Sequence, residues 1–230
     1  LIKKKCHIYS YKSIEYIKDF GTPDRIRRVK SDIKKNRIKN LNYLYKTKAV
    51  FLDRDGVINK ENKNIKTLKN FKIFPSALLA IKKLNENKIP CFVVTNQSGL
   101  AKGELTLSDF FKVTFKLDKR LSKIGAYIDD FLVCPHFTKK RYKNINESFF
   151  SNYRKPSSGM INTFIQKYGI HRNKSFMVGD SDKDILAGRN AGLKTILVSS
   201  IKIKDYKYDV QPNFRRNNLY DAVNLILEKN

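Results

Sequence analysis

From residue 48 onward, short apolar runs alternate with stretches of helical period, and this alternation limits the possible folds more than any other feature. The runs KAVFLD (48–53), IPCFVVTN (89–96), DDFLVCP (129–135), SFMVGD (175–180) and KTILVSS (194–200) have the length and composition of buried strands. Helical patterns lie between them and after them, at 75–88, 106–125, 157–169, 182–192 and 217–230. Pro75 sits where a first helical turn tolerates proline. A Thr or Ser cap opens the helix at 106–125, and Gly125 closes it. Such alternation predicts an α/β fold with a doubly wound, mostly parallel sheet. Sheets of this kind bind ligands in the crevice beyond the carboxyl ends of their strands.

Polar groups of a related kind gather at those ends. Asp53 and Asp55 follow the first strand; Thr95, Asn96, Gln97 and Ser98 follow the second. Arg154 and Lys155 precede the helix at 157, and Asp180 and Asp184 follow the fourth strand. Each group alone reads as ordinary turn or surface chemistry: Asp-Gly closes many strands, and an Arg-Lys pair is usually solvated. Together, in this order, they suit phosphoryl transfer through an enzyme carboxylate. A carboxylate can attack phosphorus, but the phosphate dianion repels it, so a lysine and a divalent cation must neutralise the charge. The leaving alkoxide also needs a proton, and Asp55, two residues past Asp53, is placed to give one.

Composition narrows the partners. The chain has 230 residues and a formal net charge of +27, with 36 Lys against 12 Arg. The basic residues are spread along the chain and are mostly lysine. An AT-rich coding bias accounts for this better than a nucleic-acid footprint, which clusters and favours Arg, so no nucleic-acid partner is expected. No apolar run approaches the ~20 residues of a membrane span, and no membrane association is expected. Three scattered cysteines, Cys6, Cys91 and Cys134, suit a reducing compartment, and a cytoplasmic location is expected. Residues 1–46 read as a basic helical extension ahead of a domain at 47–230. In the extension, Thr22 is a candidate cap and Pro23 a candidate first helical residue; Ile26, Val29 and Ile33 form a narrow apolar stripe that needs a partner surface.

The stretches FLDRDGVIN, VVTNQSG, RKPSSGM and VGDSDKDILAGRNAG resemble the four motifs of the haloacid dehalogenase superfamily of phosphatases, over about residues 47–200. The resemblance is strongest to the branch that acts on heptose bisphosphates and histidinol phosphate. It implies a Rossmann-like sheet without a large cap domain, and an Mg²⁺-dependent phosphatase working through an aspartyl phosphate. A heptose 1,7-bisphosphate cut at C7 is the expected substrate; histidinol phosphate, a polynucleotide 3′-phosphate and an inactive binding module are the alternatives. By the same resemblance, Asp53 is the nucleophile and Asp55 the general acid/base. Thr95, Asn96, Gln97 and Ser98 bind phosphate, Lys155 stabilises the transferring group, and Arg154 reaches the substrate. Magnesium sits on Asp53, the Asp55 carbonyl and Asp180, with Asp184 orienting from behind. That branch often carries a zinc loop. Here Cys134 and His136 are present, but Ser151 and Tyr153 stand where later cysteines are expected, and two ligands of four do not close a zinc site. No zinc is expected. The stretch 59–67 is the candidate specificity loop. YIKDFGTPDRIRRVKSDI, within the extension, resembles the tail of a sugar-phosphate nucleotidyltransferase, which implies a domain or subunit of that kind as a partner.

Overall fold

The structure, a computed structural model, describes residues 17, 21–34, 37–60, 71–135, 152–198 and 208–229. Most of the expected specificity loop, His136 and Ser151 lie outside the described residues.

Among the described residues six strands form one parallel sheet: β1 (Val50–Leu52), β2 (Cys91–Asn96), β3 (Asp130–Cys134), β4 (Phe176–Gly179), β5 (Lys194–Val198) and β6 (Phe214–Arg216). The spatial order is β3-β2-β1-β4-β5-β6. Phe51 stands beside Phe92 on one side and Met177 on the other. The chain winds outward from β1 to β3, then returns to β4 and winds the other way. The order therefore reverses between β1 and β4, and a crevice opens there beyond their carboxyl ends.

Helices cover both faces. Alternate side chains of each strand point to opposite faces, and in β1, β2, β4 and β5 past Lys194 both sets are buried apart from Asn96 at the end of β2, which is why these strands read as apolar runs. Val50, Leu52, Val93 and Val178 meet α3 (Pro75–Glu86), α5 (Leu107–Lys123) and α8 (Leu219–Glu228) in one cluster. Phe51, Phe92, Val94 and Met177 meet α6 (Gly159–Tyr168) and α7 (Asp182–Asn190) in another. In this second cluster the rings of Phe92 and Phe164 stack at 4.8 Å, and those of Phe92 and Tyr168 at 5.1 Å. The caps match the sequence where it was specific. Thr106 accepts from the Asp109 amide and starts α5, and Pro75 begins α3. The connections 53–74 and 135–158 are too short for a second domain of ordinary size.

Two elements were not expected from the sequence. The helix α4 (Ser98–Lys102) begins among the polar residues that follow the second strand, where no helical pattern was read. Strand β6 has three residues, two of them Arg, and so lacks an apolar run. It is held by reciprocal bonds: Asn213 accepts from the Thr195 amide at 2.8 Å, and the Asn213 amide donates to Thr195 Oγ1 at 3.1 Å.

The described part of the N-terminal segment forms α1 (Pro23–Lys34) and α2 (Arg37–Asn40). Arg37 bonds Asp32 at 3.0 Å and Asp129 at 3.1 Å and lies over the Tyr127 ring at 4.5 Å. Asn40 Nδ2 donates to the Lys88 carbonyl, and Leu41 is buried in the aromatic cluster. These contacts lie at the start of β2 and β3, the end of the sheet away from the crevice. The stripe that wanted a partner stays open: Ile26 is 40% exposed and Ile33 59%.

Two outcomes follow from this packing. Phe92→Ala should lower unfolding free energy by about 3–5 kcal/mol, because it empties the centre of the ring stack; chemical denaturation measures it. Arg37→Ala should leave Asp129 buried without its cation. Limited proteolysis should then cut within residues 21–40 faster than in the parent, with the sheet intact by circular dichroism.

Candidate active site

The crevice is built where β1 and β4 end side by side. The Asp53 amide donates to the Val178 carbonyl at 3.0 Å, so the two chains stay in register for one residue past β1. Asp53 then leaves β1 as Asp180 leaves β4. Gly56, at φ +81°, turns the chain after β1. A Cβ there would lie 1.8 Å from Asp180 Oδ2, so only glycine admits this approach.

Lys155 lies at the centre, 3% exposed. Its ammonium bridges Asp53 Oδ1 at 2.8 Å and Asp184 Oδ1 at 2.6 Å. The second oxygen of Asp184 accepts from the Ser181 hydroxyl at 2.6 Å and from the Ser181 amide at 3.1 Å. Both oxygens of Asp184 therefore have polar neighbours within the fold. Asp53 Oδ1 also accepts from the Arg54 amide at 2.7 Å. Burial pushes the Asp53 carboxyl up to about 7 against the pull of Lys155, and Asp184 and Asp55 add repulsion. Burial works against the charge on Lys155, yet Asp184 and Asp53 overcome it and hold the ammonium above its ordinary range.

Ligand oxygens of Asp53, Asp180 and Asp184 lie within 4.8 Å of one another. Among the described residues this is the cluster able to hold a metal ion, and it offers carboxylate oxygen alone, the donor set of a hard cation such as Mg²⁺. Cys134 is buried at the end of β3, and Tyr153 accepts a hydrogen bond from Thr163 at 3.2 Å.

The residues at the end of β2 and just after it fall close to the site, but two of the side chains bond inward. Asn96 grips the backbone of Lys155 both ways, donating to its carbonyl at 3.0 Å and accepting from its amide at 3.1 Å. The Gln97 amide group donates to Asp55 Oδ2 at 2.6 Å and to Thr95 Oγ1 at 3.0 Å. Thr95 is buried, and Ser98 opens α4 at the surface. Arg154 is half-buried beside Lys155.

Asp55 is gripped most. Arg54 Nε and Nη2 and Asn59 Nδ2 donate to Oδ1, at 3.1, 3.0 and 2.8 Å. Arg54 Nη2 also donates to Oδ2 at 2.8 Å, beside Gln97. Burial raises the Asp55 carboxyl, but the Arg54 charge and these hydrogen bonds outweigh it and leave it below the usual range. Arg54 and Asn59 were not among the sequence candidates. Both lie within the DRDGVIN stretch, where the Gly56 turn brings Asn59 back onto Asp55 as a β-bridge. An arginine between two strand-end aspartates was the available signal.

Comparison with known proteins agrees with this geometry. A profile for HAD-hydrolase-like proteins matches residues 152–222. The D-glycero-beta-D-manno-heptose-1,7-bisphosphate 7-phosphatase of Pasteurella multocida is 33% identical over 180 residues, covering 78% of this chain and 96% of that protein. The corresponding alpha-anomer enzyme of Campylobacter jejuni is 31% identical over 185 residues, covering 80% of this chain and 98% of its own. In fold, the chain matches the D,D-heptose 1,7-bisphosphate phosphatase of B. bronchiseptica, solved with magnesium and phosphate, at a TM-score of 0.68 and 24% identity. That match covers 80% of this chain and 99% of the other. The chain belongs to the haloacid dehalogenase-like family of the D-glycero-D-manno-heptose-1,7-bisphosphate 7-phosphatases, and it is a phosphoric monoester hydrolase.

Proposed function

We propose that the chain hydrolyses the C7 phosphate of D-glycero-D-manno-heptose 1,7-bisphosphate through an aspartyl phosphate on Asp53. The observation that carries the reading is Lys155, buried and shared between Asp53 and Asp184 in the crevice between β1 and β4. The fixed ammonium presents a positive charge to the transferring phosphoryl group beside the carboxylate that would attack it. Both polar contacts of Asp53 fall on Oδ1, which leaves Oδ2 to form the bond to phosphorus. As that bond forms, the bond from phosphorus to the sugar oxygen breaks, and Asp55 gives the oxygen its proton. Asp55 is ionised in the resting site; a bound phosphate dianion adds negative charge nearby and favours its protonated form. Water then attacks phosphorus and gives a proton to Asp55 as the bond from phosphorus to Asp53 Oδ2 breaks, which releases inorganic phosphate and restores the Asp53 carboxylate.

Asp53, the Asp55 carbonyl and Asp180 would hold Mg²⁺, with Asp184 orienting. When bound, the cation offsets the repulsion among the carboxylates and neutralises the phosphate. The fit rests on charge as well as on oxygen donors. The carboxylates of Asp53, Asp180 and Asp184 gather within 4.8 Å of one another, a concentration of negative charge that a divalent cation would offset. Thr95, Ser98 and Arg154 would contact the phosphate or the sugar. Asn96 would act by fixing Lys155. Relatives named for the alpha and the beta anomer match at 31% and 33%, and what the two names share is the phosphate at C7.

In the same reading the segment ahead of 47 is an extension apart from the chemistry, since no site residue lies in it. The exposed face of α1 and the resemblance to a nucleotidyltransferase tail support a partner of that kind there. The free thiols of Cys91 and Cys134 support a reducing, cytoplasmic setting.

A phosphate-release assay over both heptose bisphosphate anomers, histidinol phosphate and a 3′-phosphorylated oligonucleotide tests the substrate. Release from the heptose bisphosphates is expected, with the C1 phosphate retained. Asp53→Asn should lower kcat more than ~10³-fold while the fold survives, since an amide has no anionic oxygen to attack phosphorus. Excess chelator should abolish turnover and Mg²⁺ restore it. Asp180→Asn should raise the Mg²⁺ concentration needed for half-maximal activity.

A further inference from the structure

We propose that Arg54, Asn59 and Gln97 form a rigid frame that positions the Asp55 carboxylate, and that Gln97 serves this frame rather than the phosphate. The proposal rests on the reading of Asp55 as the acid/base. Five donor contacts from three side chains reach the two Asp55 oxygens, all between 2.6 and 3.1 Å. A carboxylate has about four lone-pair sites, so the frame fills the acceptor capacity of this one and leaves it a single orientation. The frame itself is immobilised. Arg54 is 2% exposed and Asn59 fully buried. The guanidinium lies beside the rings of Phe71 at 5.9 Å and Phe110 at 5.7 Å. The Arg54 carbonyl accepts from the amides of Ile58 and Asn59 at 2.8 and 3.1 Å, which ties the frame to the turn after β1.

Gln97 completes it from the other side. Its backbone amide donates to the Cys134 carbonyl at 2.8 Å, which anchors the residue to the end of β3. Its side-chain amide group spans Asp55 Oδ2 and Thr95 Oγ1. Both polar hydrogens of that group are thus occupied, and neither remains for a phosphate oxygen. Gln97 is also the frame member nearest solvent, at 8% exposure, and the donor most able to yield Oδ2 when a sugar oxygen arrives. A frame of this kind raises turnover by holding an acid/base at its productive geometry, and it leaves ground-state binding alone.

The test is a double-mutant cycle on the Mg²⁺-loaded full chain with the heptose bisphosphate as substrate. Gln97→Ala should lower kcat about tenfold or more, short of the ~10²–10⁴-fold that a general acid/base contributes. KM and inhibition by inorganic phosphate should stay unchanged. In an Asp55→Asn background the same substitution should cost nothing further, because the group it positions is gone. Losses that multiply, or a raised KM with weaker phosphate inhibition, would overturn the proposal and return Gln97 to phosphate binding. Arg54→Lys keeps the charge and breaks the fork, and it should show the same dependence on Asp55. An Asp55→Asn variant with full activity would instead remove the acid/base reading itself, whatever Gln97 does.

Discussion

One buried ammonium organises the catalytic end of this molecule. Lys155 has left water, which for a lone ammonium costs several kcal/mol, and it is tolerable only because two carboxylates meet it. Each partner comes from a different part of the sheet. Asp53 ends β1, and Asp184 lies in the first turn of α7, after β4. The lysine itself sits on the loop before α6, where Asn96 at the end of β2 fixes its backbone. Two strand ends and a helix start therefore depend on one charge. If any of them shifts, either the ammonium or a carboxylate is left buried alone.

The second cation divides the labour. Lys155 faces Asp53, the carboxylate proposed to attack phosphorus, and Arg54 faces Asp55. Two aspartates two residues apart repel each other, and Asp55 adds to the upward push on Asp53. Here each has its own cation, and their environments diverge: Asp53 is pushed up and Asp55 is drawn down. Carboxylates set apart in this way can take different roles in one reaction.

Strands β1 to β5 were legible because a parallel sheet covered by helices favours short apolar runs rich in Val, Ile and Phe, bounded by polar turns. Strand β6 was not, because at a sheet edge three residues bonded through Thr195 and Asn213 suffice without apolar side chains. The positions of Asp53, Lys155, Asp180 and Asp184 were legible from their places at strand ends and helix starts. The side-chain directions of Asn96 and Gln97 were not, since they depend on Lys155 and Asp55, distant in sequence and near in space. Arg54 was passed over because a charged residue is expected outside. Its burial depends on Phe71 and Phe110, which no local pattern connects to it. The stripe of Ile26 and Ile33 had the right period, yet a polar latch of Arg37 and Asn40, with buried Leu41, docks that segment instead.

The position of that latch has a mechanical consequence. Arg37 and Asn40 grip the sheet at the start of β2 and β3, whereas the chemistry occupies the opposite ends of the strands. A load applied at α1 would reach the sheet at the latch, and the crevice lies at the far end of the lever. The two ends can therefore change independently. What hangs on the near end can be exchanged or lost while the spacing of Asp53, Lys155 and Asp180 stays the same.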